Sequence, residues 1–156
     1  MAERFNVKVA FVSGGTGALG RTVVEAFYAE GAKITVTYLL EKEFELFPAS
    51  LKNDHERVLL IKTNLTREDE VQAAFSKTIE LYGTVDYLIN NAGAYMVKAS
   101  IVELDVRDWD RMMDMNLRSA FLCSRSALKV MLKNGSGRIT SISAMAGPPD
   151  HLVELA

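Results

Sequence analysis

In the stretch VSGGTGALGR, residues 12–21, Gly14, Gly17 and Gly20 recur at every third position, between an apolar run and an amphipathic run. The apolar run, residues 7–12, is short and valine-rich, which is typical of a buried strand. The amphipathic run, residues 17–30, predicts a helix that ends at Gly31, where a positive φ needs no Cβ. A strand, a glycine turn and a helix in this order restrict the chain to a small set of βαβ folds.

The rest of the chain continues this alternation of strand and helix patterns. Further strands are predicted at residues 33–39, 57–63, 85–89 and 138–143. Helices are predicted at residues 41–53, with a break near Pro48, from Thr66 to Gly83, and at residues 105–133. We therefore expect one α/β domain over residues 1–156, a doubly wound, Rossmann-type parallel sheet of five strands with helices on both faces.

Apolar spacing predicts which side of each helix faces the core. In the first helix the predicted stripe is Leu19, Val23, Ala26 and Phe27. In the helix before Gly83 it is Val71, Ala74, Phe75, Thr78, Ile79 and Tyr82. Thr66, with Asp69 three residues later, is the predicted N-cap of that helix.

Charge and cysteine content narrow the classes of function. A net charge of −2 gives no basic footprint for nucleic acid or an anionic membrane, and no apolar run is long enough to span a bilayer. The single cysteine, Cys123, excludes an internal disulfide and fits a reducing compartment, so the expected location is the cytoplasm. Two histidines, His55 and His151, are too few and too isolated for a metal site.

The position of the glycine turn between a strand and a helix suggests that it binds phosphate. One glycine permits unusual backbone angles, another lets backbone approach a pyrophosphate, and a third lets the helix pack closely on the sheet. The free N–H groups of the helix start favour phosphate. Because Gly20 is followed by Arg21 and Thr22, the stretch does not fit a P-loop. A tight turn that binds nothing is the alternative.

Two asparagine motifs lie further along the chain. The sequence NNAG, residues 90–93, comes directly after the fourth strand, where Asn91 can hold neighbouring loops and Ala92 and Gly93 leave room for a flat ligand. An ordinary Asn-Gly turn is the alternative. Asn116 puts a carboxamide on an otherwise apolar stripe of the long helix, as a functional group or as a satisfied structural one.

Together, SGGTGALG, NNAG, MNLRSAFLCSRSAL and GRITSIS resemble, in order, the motifs of the short-chain dehydrogenase/reductase family. The resemblance implies an oxidoreductase that moves hydride between NAD or NADP and a carbonyl or hydroxyl carbon of a small molecule. A non-catalytic nucleotide-binding or assembly module of the same fold is the alternative. The implied cofactor contacts are Gly14, Thr16, Gly17, Leu19, Gly20, Tyr38, Glu41, Asn64, Leu65, Asn91, Ala92 and Gly93.

Two departures from the family pattern concern the cofactor. The family usually has Asp after the third strand to contact adenine, and Asn64 stands there, whose amide can still accept an adenine N–H. At the end of the second strand, an acid favours NAD and an arginine favours NADP. The sequence reads Tyr38, Leu39, Leu40, Glu41, so Glu41 favours NAD.

Two more departures concern catalysis. The position of the family's catalytic serine holds Ala144, and Ser143 replaces that serine only if the strand end twists or bulges. The family's Tyr-x-x-x-Lys pair falls past residue 156, so we expect a truncated chain, deficient in catalysis, in which Asn116 lacks its usual lysine partner. We also expect an oligomer, because the long helix has an apolar stripe without a following helix. That stripe is Trp109, Met112, Ala120, Phe121, Leu128 and Met131.

Overall fold

Five short runs of apolar and β-branched residues form one fully parallel sheet in the computed structural model, which describes residues 4–94 and 100–143. The strands are β1 (Val9–Val12), β2 (Lys33–Tyr38), β3 (Val58–Lys62), β4 (Tyr87–Asn90) and β5 (Arg138–Ser141). Their spatial order is β3-β2-β1-β4-β5. The predicted doubly wound parallel sheet of five strands is therefore confirmed.

Helices connect the strands. They are α1 (Ala18–Ala29), α2 (Glu41–Glu45), α3 (Ala49–Lys52), α4 (Glu68–Tyr82), α5 (Val106–Met113) and α6 (Ser119–Asn134). A π-helical turn, Asp114–Arg118, joins α5 to α6 and makes one continuous helical segment. The predicted break near Pro48 separates α2 from α3.

The sheet separates two apolar cores because successive strand residues face opposite sides. Phe11 and Leu88 pack on one side with α4 and α6, where the rings of Phe11 and Phe75 stack with centroids 4.1 Å apart. Val12 and Ile34 pack on the other side with Val24 of α1. Since β1 lies between β2 and β4, the chain changes direction across the sheet beside β1. In open parallel sheets ligands bind at that point, beyond the carboxyl ends of the strands.

Two helix ends agree with the sequence-based prediction and one does not. Gly31 and Gly83 take left-handed φ values of 91° and 81° after α1 and α4, as predicted for Gly31. The predicted cap at Thr66 is wrong: α4 begins after Arg67, and the Thr66 hydroxyl donates to Asn64 Oδ1 at 2.9 Å. Because the Thr66 hydroxyl is bonded to the Asn64 side chain, it does not cap the N-terminus of α4.

The predicted stripes are partly wrong as well. In α1 the buried residues are Gly20 and Val24, whereas Leu19 and Ala26 are exposed, because the close approach of Gly20 to the glycine turn orients the helix. In α4 the buried residues are Val71, Ala74, Phe75 and Thr78, as predicted, and Ile79 is exposed at the edge of the stripe. In α6 Met131 is buried in the core and does not belong to an exposed stripe.

A buried pair of hydroxyls joins β2 to α4. Thr35 Oγ1 lies 2.9 Å from Thr78 Oγ1, and the Thr78 hydroxyl also donates to the Ala74 carbonyl at 2.9 Å. Because a carbonyl only accepts, Thr78 is the donor to Ala74, and Thr35 is therefore the donor to Thr78. Both threonines are completely buried.

This direction of donation predicts unequal effects of two equivalent substitutions. Thr78→Val leaves the Thr35 hydroxyl buried without an acceptor and should lower the free energy of unfolding by about 1–3 kcal/mol. Thr35→Val leaves the Thr78 hydroxyl donating to the Ala74 carbonyl, so it should lower the free energy of unfolding by less. Urea unfolding measures both, and the double variant should resemble Thr35→Val. Equal decreases in the free energy of unfolding for the two single variants would contradict the assignment of Thr35 as the donor to Thr78.

Candidate functional site

The glycine turn after β1 presents open backbone at the start of α1. Gly17 is the N-cap of α1 with φ −66° and ψ 169°, a conformation open to any residue. A Cβ placed on Gly17 would meet only the Gly14 carbonyl oxygen, at 3.5 Å. Gly17 itself therefore places no side chain over the free N–H groups of this helix start, and open N–H groups of this kind bind phosphate.

The other glycines of the turn are needed for close packing. Gly14 has φ +60°, and a Cβ there would lie 2.9 Å from Ala92 Cα. A Cβ on Gly20 would overlap the Gly14 carbonyl oxygen and lie 2.7 Å from Asn91 Nδ2. The Gly14 N–H donates to Thr37 Oγ1 at 3.1 Å, which also fixes the turn against the end of β2.

The NNAG loop after β4 is fastened to this turn by four hydrogen bonds. Ser13 Oγ accepts from the backbone N–H groups of Asn91 at 2.9 Å and Ala92 at 3.0 Å. Asn91 Nδ2 donates to the carbonyls of Ser13 at 3.1 Å and Gly14 at 2.9 Å. The two motifs singled out in the sequence therefore form one surface. Ser13 was not predicted as a site residue, although its position directly after β1 was an available signal.

Asn116 lies at the centre of the π-helical turn, and its carboxamide holds the same loop. It accepts from the Ala94 N–H at 3.0 Å through Oδ1. It donates to the carbonyls of Ala94 at 2.9 Å and Met112 at 2.8 Å through Nδ2. Gly93 has no side chain to oppose this contact, since a Cβ there would lie 2.5 Å from Asn116 Oδ1. Asn116 is exposed, and its carboxamide is satisfied on both sides by the backbone of Ala94 and Met112.

Behind the loop, Asn90 connects three elements. Its Nδ2 donates to Ser124 Oγ of α6 at 3.0 Å and to Ser141 Oγ of β5 at 3.3 Å. Ser143 is exposed beyond the end of β5. The ladder continues regularly to the bond between the Ile142 N–H and the Asn90 carbonyl, at 2.8 Å, so no bulge precedes Ser143. Ala144 and His151 lie outside the described residues.

Two acids of α2, the helix that follows β2, have different surroundings. Glu41 Oε1 pairs with Lys62 Nζ of β3 at 2.8 Å, and this hydrogen bond raises the pKa of Lys62. Glu43 instead faces the glycine turn, where its Oε2 accepts from Thr16 Oγ1 at 3.4 Å. Burial raises the pKa of the neighbouring Tyr38 phenol, and the Glu41 carboxylate adds to this effect. Glu41 was predicted from the sequence as a site residue, and Glu43 was not.

Asn64 lies in the loop after β3 with its oxygen already engaged. Asn64 Oδ1 accepts from the Thr66 N–H at 3.1 Å and from the Thr66 hydroxyl. Both acceptor positions of a carbonyl oxygen are then used. For this oxygen to accept an adenine N–H, as the sequence predicts, one of the two bonds from Thr66 would have to break, whereas no such change is needed for Nδ2 to contact a ligand. Leu65 beside it is buried in the core.

A reactive thiol, a metal site and a membrane span are three further features to examine in the described residues. Burial raises the pKa of the Cys123 thiol to about 12, which disfavours a reactive thiolate. Within residues 4–94 and 100–143, no group of three His, Cys, Asp or Glu side chains could hold a metal ion. None of the helices in these ranges has both the length and the apolar character needed to cross a bilayer.

Comparison with known proteins agrees with this geometry. A sequence model described as short chain dehydrogenase matches residues 8–153. An uncharacterized oxidoreductase of Thermotoga maritima is 34% identical over 137 residues, which are 88% of this chain and 53% of that protein. A 3beta-hydroxysteroid dehydrogenase of Mediterraneibacter gnavus is 32% identical over 144 residues, which are 92% of this chain and 52% of that protein.

A solved structure is similar as well. A short-chain dehydrogenase/reductase double mutant of Serratia marcescens superposes with a TM-score of 0.80 at 32% identity. The superposition covers 90% of this chain and 56% of that one. The chain thus spans about half the length of the curated relatives that it matches.

The Asn116 contacts predict a local effect on the loop after β4. Asn116→Leu removes the acceptor of the Ala94 N–H, so hydrogen exchange of that amide should accelerate by about tenfold or more, corresponding to about 1.4 kcal/mol of local stability. Hydrogen exchange followed by NMR measures this rate. The control is Asn134→Leu, which removes the distant bond to Thr84 Oγ1. Unchanged exchange at Ala94 in Asn116→Leu would contradict the proposed contact.

Proposed function

The chain belongs to the short-chain dehydrogenase family, and on that premise we propose that it binds a nicotinamide dinucleotide for hydride transfer to or from a carbonyl or hydroxyl carbon. The substrate is proposed only as a small molecule of this class. The relatives are named as enzymes, which does not favour the alternative of a non-catalytic assembly module.

The observation that carries the proposal is the junction of the glycine turn with the NNAG loop. Ser13 and Asn91 hold the two loops together with four hydrogen bonds, directly beyond the carboxyl ends of β1 and β4. At this junction Gly17 leaves the start of α1 uncovered. Open helix N–H groups at the crossover of a doubly wound sheet suit the pyrophosphate of a dinucleotide.

The residues of this chain would bind and orient the dinucleotide, and the nicotinamide ring would supply the hydride chemistry when bound. The pyrophosphate would rest on the backbone of Gly14 to Gly20, with Thr16 and Leu19 at its edges. Toward β2, Tyr38 would border the adenosine half, and Asn64 Nδ2 and Leu65 would border its base. Ala92 and Gly93 would give the nicotinamide half a flat surface beside β4.

We propose separate contributions of Asn116 and Ser143 near the reacting atoms. Asn116 is proposed as a positioning residue, because its carboxamide holds both polar backbone groups of Ala94. Ser143 is proposed to offer its hydroxyl to the substrate oxygen, supported by its exposure at the carboxyl edge of β5. Since the ladder is regular through Ile142, this role requires the chain to turn after that residue.

We further propose NAD as the preferred cofactor, the cytoplasm as the location, and assembly with further copies of the chain. No arginine stands at residues 38–40 to hold a 2′-phosphate. Assembly is supported by apolar side chains on the outer face of the π-helical turn and α6. Leu117 is 60% exposed, Phe121 is 56% exposed and Leu128 is 43% exposed. Contiguous apolar exposure of this kind marks protein interfaces.

Dinucleotide binding is tested at Gly17. An N-cap accepts Asp and Asn equally well, so Gly17→Asp and Gly17→Asn should both fold. Asp adds a negative charge against the pyrophosphate, so we expect its Kd for NAD+ to rise by about a hundredfold relative to the parent. The Asn variant controls for side-chain volume and should retain more affinity than Asp. Calorimetric titration of NAD+ and NADP+ at one salt concentration measures these values, and parent-like affinity in Gly17→Asp would contradict the proposal.

Assembly is tested at Phe121. Light scattering of the full-length protein at micromolar concentration should give the mass of two or more chains. Phe121→Glu places a charge in the proposed interface and should reduce this mass to one chain, because burying an unpaired charge is costly. Leu46→Glu is the control, since Leu46 is 62% exposed on the connection between α2 and α3. A parent protein with the mass of one chain would overturn this proposal.

A further inference from the structure

We propose that Glu43, and not Glu41, is the residue that selects NAD over NADP in this protein. The inference rests on the proposed dinucleotide site and adds the residue that determines its cofactor specificity. It is carried by the different surroundings of two acids that lie two positions apart on α2.

The end of β2 is the place where a dinucleotide site distinguishes the two cofactors. In this class of fold, an acidic residue about 20 positions after the glycine turn binds the ribose hydroxyls of NAD. Glu41 and Glu43 both fit that spacing from Gly20. Spacing alone therefore cannot choose between them, and the choice depends on where each carboxylate lies.

Glu41 is paired with a lysine of the outermost strand on this side of the sheet. Its Oε1 is held by Lys62 Nζ at 2.8 Å, and Lys62 lies on β3, the strand farthest from the turn on this side of the sheet. The charge of Glu41 is balanced by this lysine. An acid that is neutralised in this way exerts little repulsion on a phosphate beside the turn.

Glu43 lies against the turn itself. Its Oε2 accepts from Thr16 Oγ1, 27 residues earlier in the chain, at 3.4 Å. The same oxygen accepts from the backbone N–H groups of Leu39 and Leu40, each at 3.3 Å. Thr16 is buried within the glycine turn, so it fixes one end of this contact. The contact with the Leu40 N–H is part of the capping box of α2, and the contact with Thr16 links the Glu43 carboxylate to the pyrophosphate-binding turn.

The consequence for the two cofactors is electrostatic. Glu43 takes part in no ion pair among the described residues, so its charge is not balanced as that of Glu41 is. A ribose hydroxyl can donate to this carboxylate, whereas a 2′-phosphate would bring two like charges together. Juxtaposed like charges are strongly unfavourable in a recognition site.

The test compares neutral variants of equal shape in the full-length protein. Glu43→Gln keeps an oxygen for Thr16, Leu39 and Leu40 but removes the charge. We expect the ratio of Kd for NADP+ to Kd for NAD+, measured by calorimetry, to fall by about tenfold or more. Glu45→Gln, at an exposed position on the same helix, is the matched control and should keep the parent ratio.

A second variant separates Glu41 from Glu43. The double variant E41Q/K62Q removes the ion pair without changing the net charge, and we expect it to keep the parent ratio. A changed ratio in E41Q/K62Q with an unchanged ratio in E43Q would overturn the assignment and return specificity to Glu41. A parent protein that binds NADP+ more tightly than NAD+ would overturn it as well.

The salt dependence of the Kd ratio in the parent protein is a further test, and it needs no variant to fold. If repulsion by Glu43 sets the preference, the parent ratio should decrease between 50 mM and 500 mM salt as charges are screened, by about threefold or more. A ratio independent of salt would overturn the electrostatic assignment. Retained NAD+ binding with an unchanged E43Q ratio refutes this inference alone. Failure of the parent to bind either cofactor refutes the proposed function and this inference together.

Discussion

The hydrogen bonds between Ser13 and the NNAG loop are the contacts on which the rest of the site depends. Ser13 is buried, and its hydroxyl oxygen accepts two backbone N–H groups that β4 can no longer use in the ladder. The side chain of Asn91 satisfies two carbonyls of the glycine turn in return. This exchange removes the cost of burying loop backbone at the centre of the sheet. It also fixes the distance between the two halves of the proposed dinucleotide surface.

The sequence was sufficient for the fold because each element carries its own local signal. The valine-rich run of β1, the β-branched run of β2 and the glycines at residues 31 and 83 predict strand and helix ends without reference to the remaining chain. Five strands alternating with helices then leave few topologies other than a doubly wound parallel sheet. The predicted strand positions are accordingly close to those observed, four of the five strands lying within the predicted ranges and β4 being displaced toward Asn90.

The errors concern side-chain direction, which local sequence does not determine. Thr66 has the chemistry of an N-cap, but Asn64 two residues earlier competes for its hydroxyl. Leu19 and Ala26 fit helical spacing, but the contact of Gly20 with the turn sets the rotation of α1. Glu41 and Glu43 are indistinguishable by spacing, and only the position of Lys62 on a neighbouring strand separates them. In each case a residue elsewhere in the fold decides between two locally acceptable arrangements.

The π-helical turn at residues 114–118 makes the site sensitive to the number of residues in the chain as well as to their identity. Such a turn holds one residue more than an α-helix would at the same place. In a regular α-helix that residue would rotate everything downstream by about 100° around the axis, whereas the π-turn accommodates it locally. Deleting one residue here would restore a regular helix and would leave α6 free to keep its core register. The carboxamide of Asn116 would then leave Ala94. A one-codon deletion in the π-helical turn would thus be tolerated by the fold. Selection would still act against it, because the site would lose the contact between Asn116 and Ala94.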